Sequence, residues 1–106
     1  MNVFISMGMR NKTDEQIKQE METIKVRAIE YLKNQGIEEE ITFLNSFINE
    51  DAPESTNPGL WYLGKNIETL AKADFAYFAD GWNNHRGCIT EHLCAIQYTV
   101  PVFEES

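Results

Sequence analysis

Apolar positions along the chain fall into short blocks with two different spacings. Asn2-Val3-Phe4-Ile5-Ser6 is a brief apolar run and predicts a buried strand. Ser6-Met7-Gly8-Met9-Arg10-Asn11 predicts a turn, with Gly8 permitting close backbone approach. Thr13-Asp14-Glu15-Gln16 has the form of a capping box, so a helix is expected to start there. Ile17, Met21, Ile24, Ala28, Tyr31 and Leu32 then recur at helical spacing and form its buried stripe. Gly36, after Asn34-Gln35, is its expected stop.

Ile41 to Asn45 predicts a second strand. Ser46 to Gly59, SFINEDAPESTNPG, has prolines, acids and little periodicity, and predicts a long loop of the kind that often serves function. Leu60 opens a second predicted helix with the stripe Leu60, Leu63, Ile67, Leu70 and Ala71. Asp74 to Asp80 predicts a third strand, Gly87 to about Tyr98 a third helix, and Thr99 to Phe103 a last strand. Pro101 suggests that this last strand lies at an edge.

Strict alternation of strand and helix predicts an α/β fold in a single domain, residues 1–106: a mainly parallel sheet flanked by helices. Right-handed crossovers narrow it to a doubly wound, four-stranded sheet of order 2-1-3-4. In such sheets a ligand sits beyond the C-terminal strand ends, where the winding reverses. That point lies between the first and third strands, so the loops SMGMRN and GWNNHRG would border it.

Composition changes this picture in a few places. The net charge is −8, from 17 acids and 9 bases. Affinity for a nucleic-acid polymer comes from surplus Lys and Arg, and this chain has none, so no such partner is expected. A local pocket for one small anion is still compatible with that balance. Cys88 and Cys94 fall six apart on one predicted helix and point in different directions, a poor geometry for a disulfide. Reduced thiols and a cytoplasmic location are the simple expectation. The start of the chain lacks the pattern of a signal peptide, and no apolar run is long enough to span a bilayer, so no membrane partner is expected. A domain of 106 residues folds with little margin, and assembly into a homo-oligomer would add burial.

The chemistry concentrates in Gly81 to His92, GWNNHRGCITEH. Glu91 lies one turn into the third helix and can serve as nucleophile or general base. The amides around Gly87 and Cys88, with the positive end of the helix dipole, would attract an anion. Arg86 adds a forked donor suited to phosphate, and Trp82 a flat surface for stacking. A carboxylate, an anion cradle and an aromatic platform together suit a nucleoside or nucleotide. Each residue also has a plain structural reading. Glu91 is favourable near a helix N-terminus for electrostatic reasons alone. Trp82 suits a core or an interface. Arg86 suits a surface ion pair. His85, Cys88 and His92 raise the question of zinc, but no second ligand cluster completes a site, so no metal and no cofactor are expected. Nothing in the sequence orients His92 to make a catalytic pair with Cys88.

The segment Leu60 to Tyr98, with a helix ending Leu70-Ala71-Lys72-Ala73-Asp74, an apolar strand, and then G-W-x-x-x-x-G-C-x-x-E-H, resembles a family of small bacterial and phage proteins. That family is similar in fold to nucleoside 2-deoxyribosyltransferases and deoxynucleoside 5′-monophosphate N-glycosidases. The resemblance implies that Glu91 attacks the anomeric carbon of a deoxyribose and displaces the base. It further implies a small-molecule ligand held by the two loops: Ser6, Gly8, Met9 and Arg10 after the first strand, and Asp80, Trp82, His85, Arg86, Gly87 and Cys88 after the third. It also implies a dimer or larger assembly. Where those enzymes carry an aspartate, this chain has Asn66, an amide that exchanges no proton at neutral pH. Three functions therefore stand side by side: an enzyme acting at an N-glycosidic bond, a binder or sequesterer of a nucleotide-derived molecule, and an oligomeric scaffold.

Overall fold

The computed structural model describes residues 1–45 and 50–106. The element order is β1 (Asn2–Ser6), α1 (Asp14–Asn34), β2 (Thr42–Phe43), α2 (Pro58–Leu70), β3 (Phe75–Phe78), a 3-10 turn (Trp82–Asn84), α3 (Arg86–Gln97) and β4 (Val102–Glu104). The four strands form one sheet of order β2-β1-β3-β4. Every pairing is parallel, with Val3 opposite Phe75, Ser6 opposite Phe78 and Ala76 opposite Val102. The sheet is the one that strand-helix alternation predicts, with β4 at an edge.

Two apolar clusters sandwich the sheet. Val3 and Ile5 of β1, with Phe75 and Tyr77 of β3, pack against Ile17, Ile24, Ala28 and Leu32 of α1. Phe4, Ala76 and Phe78 face the other way and meet Leu70 of α2 and Ala95 of α3. This is the period of two along a strand, which sends neighbouring side chains to opposite faces.

α1 is bounded by its own side chains and turns. Thr13 Oγ1 accepts from Gln16 N at 3.1 Å, and Gln16 Oε1 accepts from Thr13 N at 2.9 Å, the reciprocal capping box. At its other end Ile37 N donates to Leu32 O and Gly36 N to Lys33 O, a Schellman closure.

Differences from the sequence expectation are local. β2 pairs over two residues only, and residues 46–49 of the expected long loop lie outside the described residues. α2 begins two residues before Leu60, because Asn57 caps it by accepting from Leu60 N and Pro58 occupies the first turn. Leu60 is therefore 65% exposed rather than part of the buried stripe. β4 starts at Val102, while Pro101, which cannot donate, lends its carbonyl to Ala76 N at 2.9 Å. Among the described residues no helix is long and apolar enough to cross a membrane.

Candidate functional site

Parity along β1 aims its last residue at the site. Phe4 packs on the α2–α3 side, so Ser6, two residues on, faces the same side. On α3 the buried positions are Cys88, Glu91 and Ala95, the stripe that faces the sheet. Ser6 and Glu91 thus meet: Ser6 Oγ donates to Glu91 Oε1 at 2.6 Å, across 85 residues of sequence. Ser6 is 1% exposed and Glu91 4%, so a carboxyl occupies what is by position a core site.

The surroundings set its chemistry. Burial pushes the Glu91 carboxyl up to about 7, while hydrogen bonds with Ser6 and Asn66 pull the other way. No cation pairs with it among the described residues. Asn66, on the face of α2 turned to the sheet, also carries a buried Oδ1 with no hydrogen-bond partner among the described residues. Burial likewise pushes the Cys88 thiol up to about 11, while its hydrogen bonding with Ser6 pulls the other way, so the thiol is inert near neutrality. Cys88 and Cys94 are both free.

Ser6, Asn66 and Glu91 line a cleft of about 280 Å³ at the C-terminal ends of β1 and β3, where the strand order reverses. One wall is the β1–α1 loop with Gly8, Met9 and Arg10; another is α2 with Gly59, Tyr62 and Leu63. The third is the start of α3 with His85, Arg86 and Gly87. His85 lies across Gly8, and any Cβ at position 8 would stand 2.1 Å from its Nε2, so only glycine leaves room for the ring. The Arg86 guanidinium reaches toward α2, where a Cβ on Gly59 would lie 3.2 Å from Nη2.

Two arginines, Arg10 and Arg86, line the cleft although the chain is acidic. α1 has a capping threonine and two acids, Asp14 and Glu15, in its first turn, whereas α3 has neither a side-chain cap nor an acid there. Its first amides are left for another acceptor. Arg10 and Arg86 sit at this rim without an acidic partner among the described residues. Such an arrangement suits an anionic or strongly polar group.

The structure brings Ser6, Gly8, Met9, Arg10, His85, Arg86, Gly87, Cys88 and Glu91 to one cleft. Trp82 and Asp80 do not line it. Gly81, with φ of 86°, starts the 3-10 turn, and the Trp82 ring packs back onto the α2–α3 cluster. It stacks on His92 at 4.2 Å and meets Phe78 edge-on at 5.5 Å. Asp80 is exposed, and its N–H donates to Glu105 Oε1 at 2.8 Å. Trp61, the other tryptophan, lies outside the lining and meets Tyr62 edge-on at 5.0 Å. The aromatic in the cleft wall is Tyr62, whose hydroxyl donates to Glu50 O at 3.0 Å.

Leu63 and Gly59 were not foreseen as site residues. The available signal was the spacing Gly59, Tyr62, Leu63 and Asn66, which runs down one face of α2, with a polar Asn66 among apolar neighbours. Among the described residues no three His, Cys, Asp or Glu side chains gather as metal ligands do.

No family model, no curated protein and no solved structure matches the chain. The class established by the fold is a parallel α/β domain with a buried carboxyl at its switch point.

Proposed function

We propose that the cleft binds a nucleoside or nucleotide and that Glu91 attacks the anomeric carbon of its sugar. The observation that carries this reading is the Glu91 carboxyl itself. It is buried, held by Ser6, without a cation partner among the described residues, and placed in a cleft that Arg10 and Arg86 also line. A carboxyl with a pKa pushed up to about 7 is anionic in a useful fraction near neutrality, yet poorly solvated. The energetic cost of holding that charge falls as it bonds to an oxocarbenium-like sugar.

In the first step a Glu91 oxygen forms an ester with the anomeric carbon as the C–N bond to the base breaks. In the second, water or another base releases the sugar. Ser6 and Asn66 fix the carboxylate, and the unpaired Asn66 Oδ1 is an acceptor for a sugar hydroxyl. Arg10, Arg86 and the first amides of α3 hold a phosphate or other polar substituent, and Tyr62 offers the base an aromatic face.

A second reading has a specific observation behind it. Asn66 supplies no proton to a leaving base, which favours a binder or sequesterer of a nucleotide-derived molecule. A base-release assay separates the two. Purified protein and Glu91→Gln meet deoxynucleosides, ribonucleosides and their 5′-monophosphates, and free base and melting temperature are both read. Release that disappears in the variant supports the enzyme. A ligand-induced rise in melting temperature without release supports the binder. Neither signal across the panel removes both.

A second copy of the chain is the proposed macromolecular partner. Ile89, Leu93 and Ile96 form a stripe on α3 that is 46%, 57% and 48% exposed. It carries no charge on a chain of net −8, so like copies can meet there without repulsion. Leu93→Glu is expected to convert a sedimenting dimer to monomer, and a monomeric wild-type protein would remove the idea.

A further inference from the structure

A carboxylate nucleophile is half of a glycosidic mechanism; the departing base also needs a proton. Asn66 stands where an acid would be useful and cannot supply one. The other proton-bearing groups in the cleft wall can be taken in turn. Arginine does not give up its proton, which removes Arg10 and Arg86. The Cys88 thiol, pushed up to about 11 by burial, is a poor acid. The Tyr62 hydroxyl is committed to the Glu50 carbonyl. Glu91 is the nucleophile. The Ser6 hydroxyl is committed to Glu91. His85 is left, and an imidazole is the side chain that ordinarily exchanges protons near neutral pH.

Its placement fits that task. His85 is the residue before α3, half-buried, and lines the same cleft as Glu91. Neither ring nitrogen has a hydrogen-bond or ion-pair partner among the described residues. The ring occupies the space over Gly8, where a Cβ would meet Nε2 at 2.1 Å. Glu91 is held by Ser6, and the Ser6 and Gly8 Cα atoms are at most about 7 Å apart, because two residues of chain span no more. Nucleophile and imidazole therefore stand beside one short stretch of chain and line one cleft.

We propose that His85 is the proton donor to the leaving base, a catalytic residue that takes the place of the missing carboxylic acid. This rests on the glycosidic reading above. The imidazolium gives its proton to a ring nitrogen of the base as the C–N electron pair moves onto the base, and the Glu91 ester forms. Neutral His85 then takes a proton from the attacking water, whose oxygen bonds the anomeric carbon as the ester C–O bond breaks. Glu91 carboxylate and His85 imidazolium are restored.

The test uses two kinds of substrate: the ordinary deoxynucleosides, and a pyridinium 2′-deoxyriboside, whose cationic leaving group departs neutral and needs no proton. His85→Asn is expected to slow release from the deoxynucleosides by about 100-fold or more. It leaves the pyridinium substrate near the wild-type rate. Glu91→Gln loses both substrates. Equal slowing of both substrates by His85→Asn, or no slowing of either, overturns His85 as donor while leaving the glycosidic reading in place. So does a rise in KM confined to 5′-monophosphates, which would make His85 a phosphate contact. No release from any substrate by the wild-type protein overturns both readings. Gly8→Ala, which displaces the ring and leaves His85 in the sequence, is expected to give the same split, and covers the case of a His85→Asn protein that does not fold.

Discussion

Two glutamates stand at the C-terminal end of the same sheet, one on each face, and their environments drive them in opposite directions. Glu91 faces α2 and α3, and Glu105 faces α1. Each accepts a hydrogen bond from a strand hydroxyl, Ser6 Oγ at 2.6 Å for Glu91 and Tyr77 Oη at 2.5 Å for Glu105. Burial pushes both carboxyls up. At Glu105 that push is outweighed by hydrogen bonds from Arg27, Tyr77 and the Asp80 N–H, and the pKa falls to about 2. Arg27 makes two of these contacts, at 2.7 and 3.0 Å, as a forked pair. At Glu91 the hydrogen-bonding partners are neutral and no cation pairs with it among the described residues, so burial wins and the pKa rises to about 7. A hydroxyl does not decide what a buried carboxyl is for; the presence or absence of a guanidinium does. Glu105 is a clasp that ties α1, β3 and the end of the chain together. Glu91 is left buried with its pKa raised.

The largest effect expected from breaking this contrast is on activity. On the proposed function, Glu91→Gln should lower base release by at least about 1,000-fold, as removal of an enzymatic nucleophile does, whereas Glu105→Gln should leave the rate per folded molecule within a few-fold. Initial rates of free-base formation for the two variants check this. An equal loss in both would erase the distinction.

Next comes stability against pH, with opposite signs at the two sites. The Glu91 carboxyl holds its proton in the folded state up to about 7 and loses it near 4.5 when unfolded. Its contribution is therefore complete below about 4.5 and is lost as pH rises through 7. Glu91→Gln should accordingly be more stable than wild type at pH 8 by about 3 kcal/mol, the scale of a shift of this size, and nearly equal to it at pH 4. Glu105 is the reverse: its contribution is present above 4.5 and is lost as pH falls toward 2. Glu105→Gln should lose about 2 kcal/mol at pH 7, from charge-assisted hydrogen bonds no longer made, and almost nothing at pH 2. Urea unfolding of both variants across this range reads the two slopes.

The smallest expected effect sharpens the role of the hydroxyl. Ser6→Ala removes one donor to Glu91 at a cost of about 1 kcal/mol to the anionic form. The pH midpoint of base release should move upward, by less than one unit on that energy. A downward move would mean that Ser6 favours the neutral carboxyl.

The sequence by itself determined a good deal. Alternating strands and helices required a parallel sheet, right-handed crossovers ordered it, and the order located the switch point beside the loops after β1 and β3. The capping box at Thr13 and the stop at Gly36 were readable because caps are local chemistry. Glu91 was readable as a candidate through its motif. Trp82 was misread as a cleft residue because its ring direction is set by the turn that Gly81 begins, and by the Phe78 and His92 rings that receive it. Asn57 and Pro58 mark the true start of α2 by local cap chemistry, two residues before the apolar stripe begins at Leu60. Nothing local marked Glu105, whose Arg27 partner is 78 residues away.

Only the tertiary structure could decide what Ser6 and Glu91 do to each other, or that His85 rests on Gly8. Periodicity is a property of neighbours in the chain, and it says which face a side chain takes. The protonation of a carboxyl depends on burial and on charges brought in from distant elements, and those exist only once the sheet and its two helical layers have closed around it.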